Sequence, residues 1–392
     1  MSRPAQESGS NQPPTPKPPD SAPHGGPGSS RSRPRKTAAV WAFCLGLLLA
    51  ACTGDTKGPP TGSSTSVGAA GATGTPAVVE QLDLGLQIPW AAVFLPEGTA
   101  VISERDSGLL KAVRGGRSAT IGKVPGVVPG GEGGLLGLAL SPAFESDHLL
   151  YFYFTSGRDN RIARAVLTEG GDGELSVGSP EVIFTGIPNA STHNGGRIRF
   201  GPDGLLYVGT GDSQRREQPQ DPNALGGKIL RLTPEGRPAP GNPFGNAVYS
   251  LGHRNVQGLA WDSAGRLWAS EFGPDVNDEL NLILPGANYG WPQVTGAPHR
   301  EGFQDAKVVW PSTAESSPSG LEIVGSTAYL GALRGQRLWT VPLDGEEAGD
   351  PVAYFTREYG RIRDVIQAPD GRFWLLTNNE NPDFVLVFDP SG

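Results

Sequence analysis

Between residues 77 and 390 the chain is a succession of short apolar runs, each broken within a few positions by Gly, Pro or Asp. Few stretches keep the helical repeat of 3.6 residues. Runs at 91–94, 100–103, 149–154, 197–200, 206–209 and 267–270, then at 337–341, 373–377 and 384–388, have the length and turn-forming borders of strands. Strands this short, broken so often by turn residues, predict an all-β sandwich, barrel or propeller.

An internal repeat separates these options. Phe94-Leu95-Pro96-Glu97-Gly98, Phe200-Gly201-Pro202-Asp203-Gly204, Trp261-Asp262-Ser263-Ala264-Gly265 and Gln367-Ala368-Pro369-Asp370-Gly371 share one design. A strand ends, a turn follows in which Gly accepts a positive φ, and a second strand begins. Hairpins recurring through the chain in this way fit propeller blades, with some copies degenerate. About 310 residues at roughly 50 per blade predicts six blades.

The N-terminal part reads differently. Residues 1–36 are rich in Pro, Ser and Gly and are expected to be disordered. Arg31, Arg33, Arg35 and Lys36 precede an apolar stretch at 38–51, too short for a span of roughly 20 residues. A basic region, an apolar region and small residues predict a signal peptide. Leu49-Ala50-Ala51-Cys52 resembles a bacterial lipobox, which implies cleavage before Cys52 and a lipid on its thiol. The expected organisation is therefore a leader at 1–51, a lipidated Cys52 with a flexible Gly/Ser/Thr/Pro linker at 52–76, and a propeller at 77–392. That places the domain outside the cytoplasm, anchored to the cell membrane.

Composition narrows the partners. The first 51 residues hold six basic and two acidic of the chain's 32 and 40, leaving 26 against 38, a net of −12. Such a balance disfavours nucleic acid. The two cysteines are Cys44 and Cys52, so the folded part has no disulfide. No Cys/His metal cluster, phosphate-binding Gly-rich loop, Gly-x-Ser-x-Gly elbow or Cys-x-x-Cys-His haem site occurs.

Two polar clusters carry the candidate chemistry. Thr192-His193-Asn194-Gly195-Gly196-Arg197 leads through a strand to Thr210-Gly211-Asp212. Gly252-His253-Arg254-Asn255-Val256-Gln257-Gly258 stands about sixty residues later. Two of only five histidines lie in these clusters, beside glycines that let backbone approach a ligand. Together with the Gly131–Ala139 glycine-rich run, Glu271-Phe272-Gly273-Pro274, Asp278-Glu279, Gly286-Ala287-Asn288-Tyr289-Gly290-Trp291 and Gly360-Arg361-Ile362-Arg363, they resemble the quinoprotein glucose/sorbosone dehydrogenase family. That family uses pyrroloquinoline quinone (PQQ) and calcium.

The resemblance implies oxidation of an aldose at its anomeric carbon, with electrons passing to an external acceptor. It implies His193 as general base oriented by Asp212, and Arg254 over the reactive quinone carbonyl. Asn255, Arg334, Arg361 and Arg363 would hold other edges of the quinone, and Glu132 would meet the sugar. Gly273 and Pro274 would offer carbonyls to calcium, and Asp278, Glu279 and the Tyr289 carbonyl would form a second calcium site. Two positions depart from the family pattern: Arg334 stands where a lysine is frequent, and Phe272 where histidine is. A calcium-dependent propeller lactonase and a non-catalytic binding propeller remain open alternatives, as does the oligomeric state.

Overall fold

The computed structural model describes residues 75–171 and 173–390. The leader, Cys52 and nearly all of the linker lie outside the described residues. Six antiparallel sheets succeed one another, and their innermost strands touch in a closed ring around a central axis. The predicted six-bladed β-propeller is the fold.

Blade I holds Pro89–Phe94, Ala100–Glu104, Leu109–Arg114 and Arg117–Lys123, inner to outer. Blade II begins at Leu135–Leu140, III at Ile198–Phe200, IV at Val256–Trp261, V at Pro318–Val324 and VI at Ile362–Gln367. Blade VI is completed by the opposite end of the chain: Ala77–Leu82 pairs antiparallel with Val385–Asp389. This joins the two ends of the described chain in one sheet and closes the ring.

The repeated turns are the hairpins between first and second strands of blades I, III, IV and VI. Their glycines, Gly98, Gly204, Gly265 and Gly371, have φ of +91°, +73°, +78° and +86°. Each closes the same ladder; the Gly371 N–H donates to Ala368 O at 2.9 Å and the Ala368 N–H to Arg372 O at 2.8 Å. Blades II and V replace it with a helical turn at Phe144–Asp147 and a tight turn at Gly325.

The inner strands crowd the axis. A side chain at Gly258 would bring its Cβ to 2.5 Å from Ser319 O of the next blade's inner strand, and one at Gly137 to 2.2 Å from Gly196 O. Glycine here permits backbone approach that a side chain forbids. The sheets bury several apolar clusters, with Trp90, Tyr151 and Phe152 in one, Trp268 in a second and Phe373 in a third. Burial of this kind, rather than any cross-link, holds the frame together. The loops at its ends then ride on a rigid scaffold.

Candidate active site

At one mouth of the central channel, the loops entering each inner strand meet the loops that follow the second strands. They enclose a cavity of about 290 Å³ lined by residues of all six blades, from Trp90 and Arg105 of blade I to Arg361 and Arg363 of blade VI. Both polar clusters end here, although sixty residues separate them.

His193 has φ of +58°, and its Nδ1 lies 2.7 Å from Asp212 Oδ1. An ionised carboxylate only accepts, so Nδ1 carries the proton and Nε2 is the basic nitrogen of the neutral ring. His193 lines the cavity while Asp212 is buried beneath it. Trp291 Nε1 donates to Asp212 Oδ2 at 2.7 Å and the Gln214 N–H to Oδ1 at 2.8 Å. Burial pushes the Asp212 carboxyl up, but the His193, Trp291 and Gln214 contacts outweigh it and hold it below the usual carboxylate range. The turn is sterically fixed, because a Cβ at Gly211 would fall 1.9 Å from His193 O. Glu132 accepts the His193 N–H at 2.6 Å, which anchors blade II to the same loop.

The same cavity is rich in cations. Five guanidiniums (Arg105, Arg254, Arg334, Arg361 and Arg363) line the cavity against two carboxyls, Glu132 and Asp278. The Arg254 N–H is held by Glu271 Oε1, its Nη1 donates to Phe272 O at 3.3 Å, and its guanidinium lies 5.4 Å from the Trp291 ring centre. Arg334 Nη1 donates to Thr313 Oγ1 at 2.9 Å. Arg363 donates to Gln257 Oε1, Ser319 Oγ and Asn378 Oδ1, all neutral acceptors, at 3.0–3.2 Å. Desolvation pulls Arg254 and Arg361 below the ordinary guanidinium value and takes Arg363 down to about 9. The Nε atoms of Arg254 and Arg363 are buried without acceptors. Permanent planar cations with unused donors suit a polycarboxylate.

Asn255 is fully buried, and its Oδ1 accepts the Gly195 N–H at 2.9 Å, which locks one cluster onto the other, while its Nδ2 donates at 3.5 Å to Glu132 of the cavity lining. Asp278 and Glu279 separate because neighbouring strand residues face opposite ways. Asp278 faces the cavity and takes the N–H groups of Gly273 at 2.8 Å and Ser317 at 2.6 Å; burial pushes it up to about 6. Glu279 lies directly across from Glu271 in the ladder, and burial followed by that like charge pushes it up to about 8. Asn281 Nδ2 donates to Glu279 at 3.1 Å, while Asn281 Oδ1 is buried without a partner. Tyr289 is buried with its ring stacked 4.6 Å from His253.

Among the described residues, no group of three or more His, Cys, Asp or Glu side chains converges as a metal site. The crowded carboxyls and the orphaned Asn281 oxygen nevertheless fit a hard cation completed by backbone carbonyls. Gly273 and Pro274 line the cavity itself.

Arg105 and Trp90 were not among the sequence candidates. A signal for Arg105 exists in the repeat, since Ser103-Glu104-Arg105 matches Ser270-Glu271-Phe272 in register. Ser103 and Ser270 each donate to the next blade's inner strand at 2.6 Å, and Glu104 and Glu271 each accept an N–H two residues ahead of their own blade's inner strand. Phe272 in blade IV therefore occupies the place of Arg105 in blade I.

Comparison with known proteins gives the family. The glucose/sorbosone dehydrogenase family profile matches residues 86–386. The solved PQQ-bound aldose sugar dehydrogenase of Streptomyces coelicolor is 49% identical, with a TM-score of 0.78 over 81% of this chain and 99% of that one. The apo-form soluble aldose sugar dehydrogenase of Escherichia coli is 28% identical, with a TM-score of 0.72 over 81% and 99%. Aldose sugar dehydrogenase YliI of Escherichia coli (strain K12) is 31% identical over 347 residues, which is 79% of this chain and 92% of that protein. This chain belongs to the glucose/sorbosone dehydrogenase family.

Proposed function

We propose that the protein oxidises the anomeric carbon of aldoses to lactones with PQQ as the resident cofactor. The observation that carries this reading is the pairing, at one channel mouth, of the His193–Asp212 couple with five guanidiniums. His193 Nε2 takes the proton of the anomeric hydroxyl, and Asp212 stabilises the imidazolium that results. Glu132 stands beside His193 to orient a sugar hydroxyl. No side chain accepts a hydride, and PQQ when bound supplies that two-electron acceptor. Arg334, Arg361 and Arg363 would hold its carboxylates, and Arg254 would stabilise negative charge at its carbonyl.

Calcium belongs to the same proposal, with the Gly273 and Pro274 carbonyls at the mouth. Glu279, Asn281 and the Tyr289 carbonyl would form a second site, on the strand face opposite to Asp278. Electrons would leave to an external acceptor, and a lipid on Cys52 would keep the enzyme at the membrane; mapping the mature N-terminus tests the latter. A calcium-dependent lactonase leaves the guanidinium set without a task.

The test is calorimetric titration of calcium-loaded apoprotein with PQQ. A saturable isotherm with one quinone per chain is expected. Absence of binding at millimolar quinone overturns the reading.

A further inference from the structure

Lys228 opens the third strand of blade III and is fully buried, yet the chemistry above makes no use of it. Its Nζ donates to Gln218 O at 2.6 Å, Gly226 O at 2.8 Å and Pro219 O at 3.1 Å. All three acceptors are backbone carbonyls. An ammonium has three donors, so this cage satisfies each of them, as carbonyls would satisfy a bound metal cation.

The cage sits where the two halves of the site cross. On one side, the Gly227 N–H donates to Gly211 O at 2.9 Å, and the Thr210 N–H to Lys228 O at 2.9 Å. Thr210 Oγ1 accepts the Lys228 N–H at 2.9 Å. These bonds set the turn that delivers Asp212. On the other side, Pro219 O, already held by the ammonium, also accepts the Gly252 N–H at 2.9 Å, and Gly227 O accepts the His253 N–H at 3.1 Å. Those two donors immediately precede Arg254. Gln220 Nε2 donates to Trp291 O at 2.7 Å, reaching the indole that in turn binds Asp212. Residues 210–212 and 252–254 therefore share one support, the 218–228 segment, and Lys228 is the cation folded into it.

We propose that Lys228 is a positioning residue whose ammonium, seated in a carbonyl cage, ties the turn bearing Asp212 to the turn bearing Arg254. It thereby fixes the His193–Asp212 couple against the Arg254 guanidinium. A hydrophobic side chain of similar length would fill the space but leave three inward carbonyls without a donor, and the segment would open to find water. Arginine is too wide for the cage, so charge alone does not replace the lysine. An alanine leaves a cavity rimmed by three carbonyls, which a small ammonium ion can fill.

The assignment of the site is assumed, so the deciding readout is independent of it. Backbone amide exchange of the apoprotein is followed by mass spectrometry in wild type, Lys228→Met and Lys228→Ala, with and without methylammonium. Exchange in 210–215 and 252–256 is expected to accelerate together, by about tenfold or more, in both variants. In Lys228→Ala, methylammonium restores protection in both segments, whereas tetramethylammonium, which has no N–H, does not. Should Lys228→Met not accumulate folded, Lys228→Ala produced in methylammonium carries the test alone.

Turnover of quinone-loaded protein is read in parallel. It should fall by on the order of tenfold in Lys228→Ala with KM little changed, and recover with methylammonium. Exchange unchanged in either segment, acceleration in one segment alone, or equal rescue by tetramethylammonium would overturn the proposal. Coupled and rescued exchange without any quinone-dependent turnover would uphold the cage and count against the dehydrogenase reading alone.

Discussion

Replacing Arg363 by methionine separates a ligand-binding cation from a structural one. Arg363 is 6% exposed and faces only neutral acceptors, so burial takes it down to about 9. Keeping it charged at neutral pH costs the fold on the order of 5 kcal/mol of desolvation. Its three hydrogen bonds oppose that cost, at about 2 kcal/mol each for a charged donor. The two nearly cancel, and methionine keeps the contact with Trp90, which lies 5.7 Å from the guanidinium. The apoprotein variant should therefore lose no more than about 2 kcal/mol, a melting shift within about 6 °C. Quinone binding behaves differently, because the cation meets its anionic partner only in the complex. Loss of about 2–3 kcal/mol there weakens Kd by roughly 30- to 150-fold. Thermal melts of the apoprotein and calorimetry with PQQ measure both quantities. An apoprotein destabilised by about 4 kcal/mol or more, with Kd within about threefold of wild type, would refute the reasoning and make Arg363 a structural residue.

Asp212→Asn should cut turnover by on the order of 10²- to 10⁴-fold with quinone affinity preserved. Because its carboxyl is held below the usual range, its stabilising contribution is complete above about pH 4 and is lost as pH falls through the folded value. The stability gap between wild type and the variant should thus shrink on acidification, and a gap constant from pH 6 to about 3 would contradict this. Gly211→Ala drives a Cβ into His193 O and should cost on the order of 3 kcal/mol or more, visible as a large fall in melting temperature; a neutral effect would show that this turn is not rigid. Calcium at about 100-fold over its Kd should stabilise the apoprotein by about 2.7 kcal/mol, and a melting curve indifferent to calcium and to chelator would remove the metal from the account.

What the sequence made legible follows from where physics acts locally. The Pro/Asp/Gly hairpins were readable because a positive φ demands glycine at Gly98, Gly204, Gly265 and Gly371. Blades II and V use other connections and left no such mark. Ala77–Leu82 was invisible as a strand, since it is largely exposed and exists through its pairing with Val385–Asp389. His193, Asp212 and the arginines stood out as polar groups beside glycine turns. The burial of Asn255 was not legible, because its partner Gly195 lies sixty residues away and meets it only through blade packing. Treating Asp278 and Glu279 as one ligand pair overlooked strand alternation, which sends them to opposite faces. Arg105 was legible only by aligning blade I on blade IV, and Lys228 only once three carbonyls were seen around its ammonium.

Oxidation of an aldose at this mouth, with His193 as base and a bound quinone as acceptor, is read out by aldose-dependent reduction of an artificial dye by the calcium-loaded domain, with and without saturating PQQ, in wild type and His193→Gln. The wild type should turn over only with quinone, and His193→Gln should lose on the order of 10²-fold or more at unchanged quinone affinity. Turnover without quinone, or near-normal turnover in the variant, would contradict it.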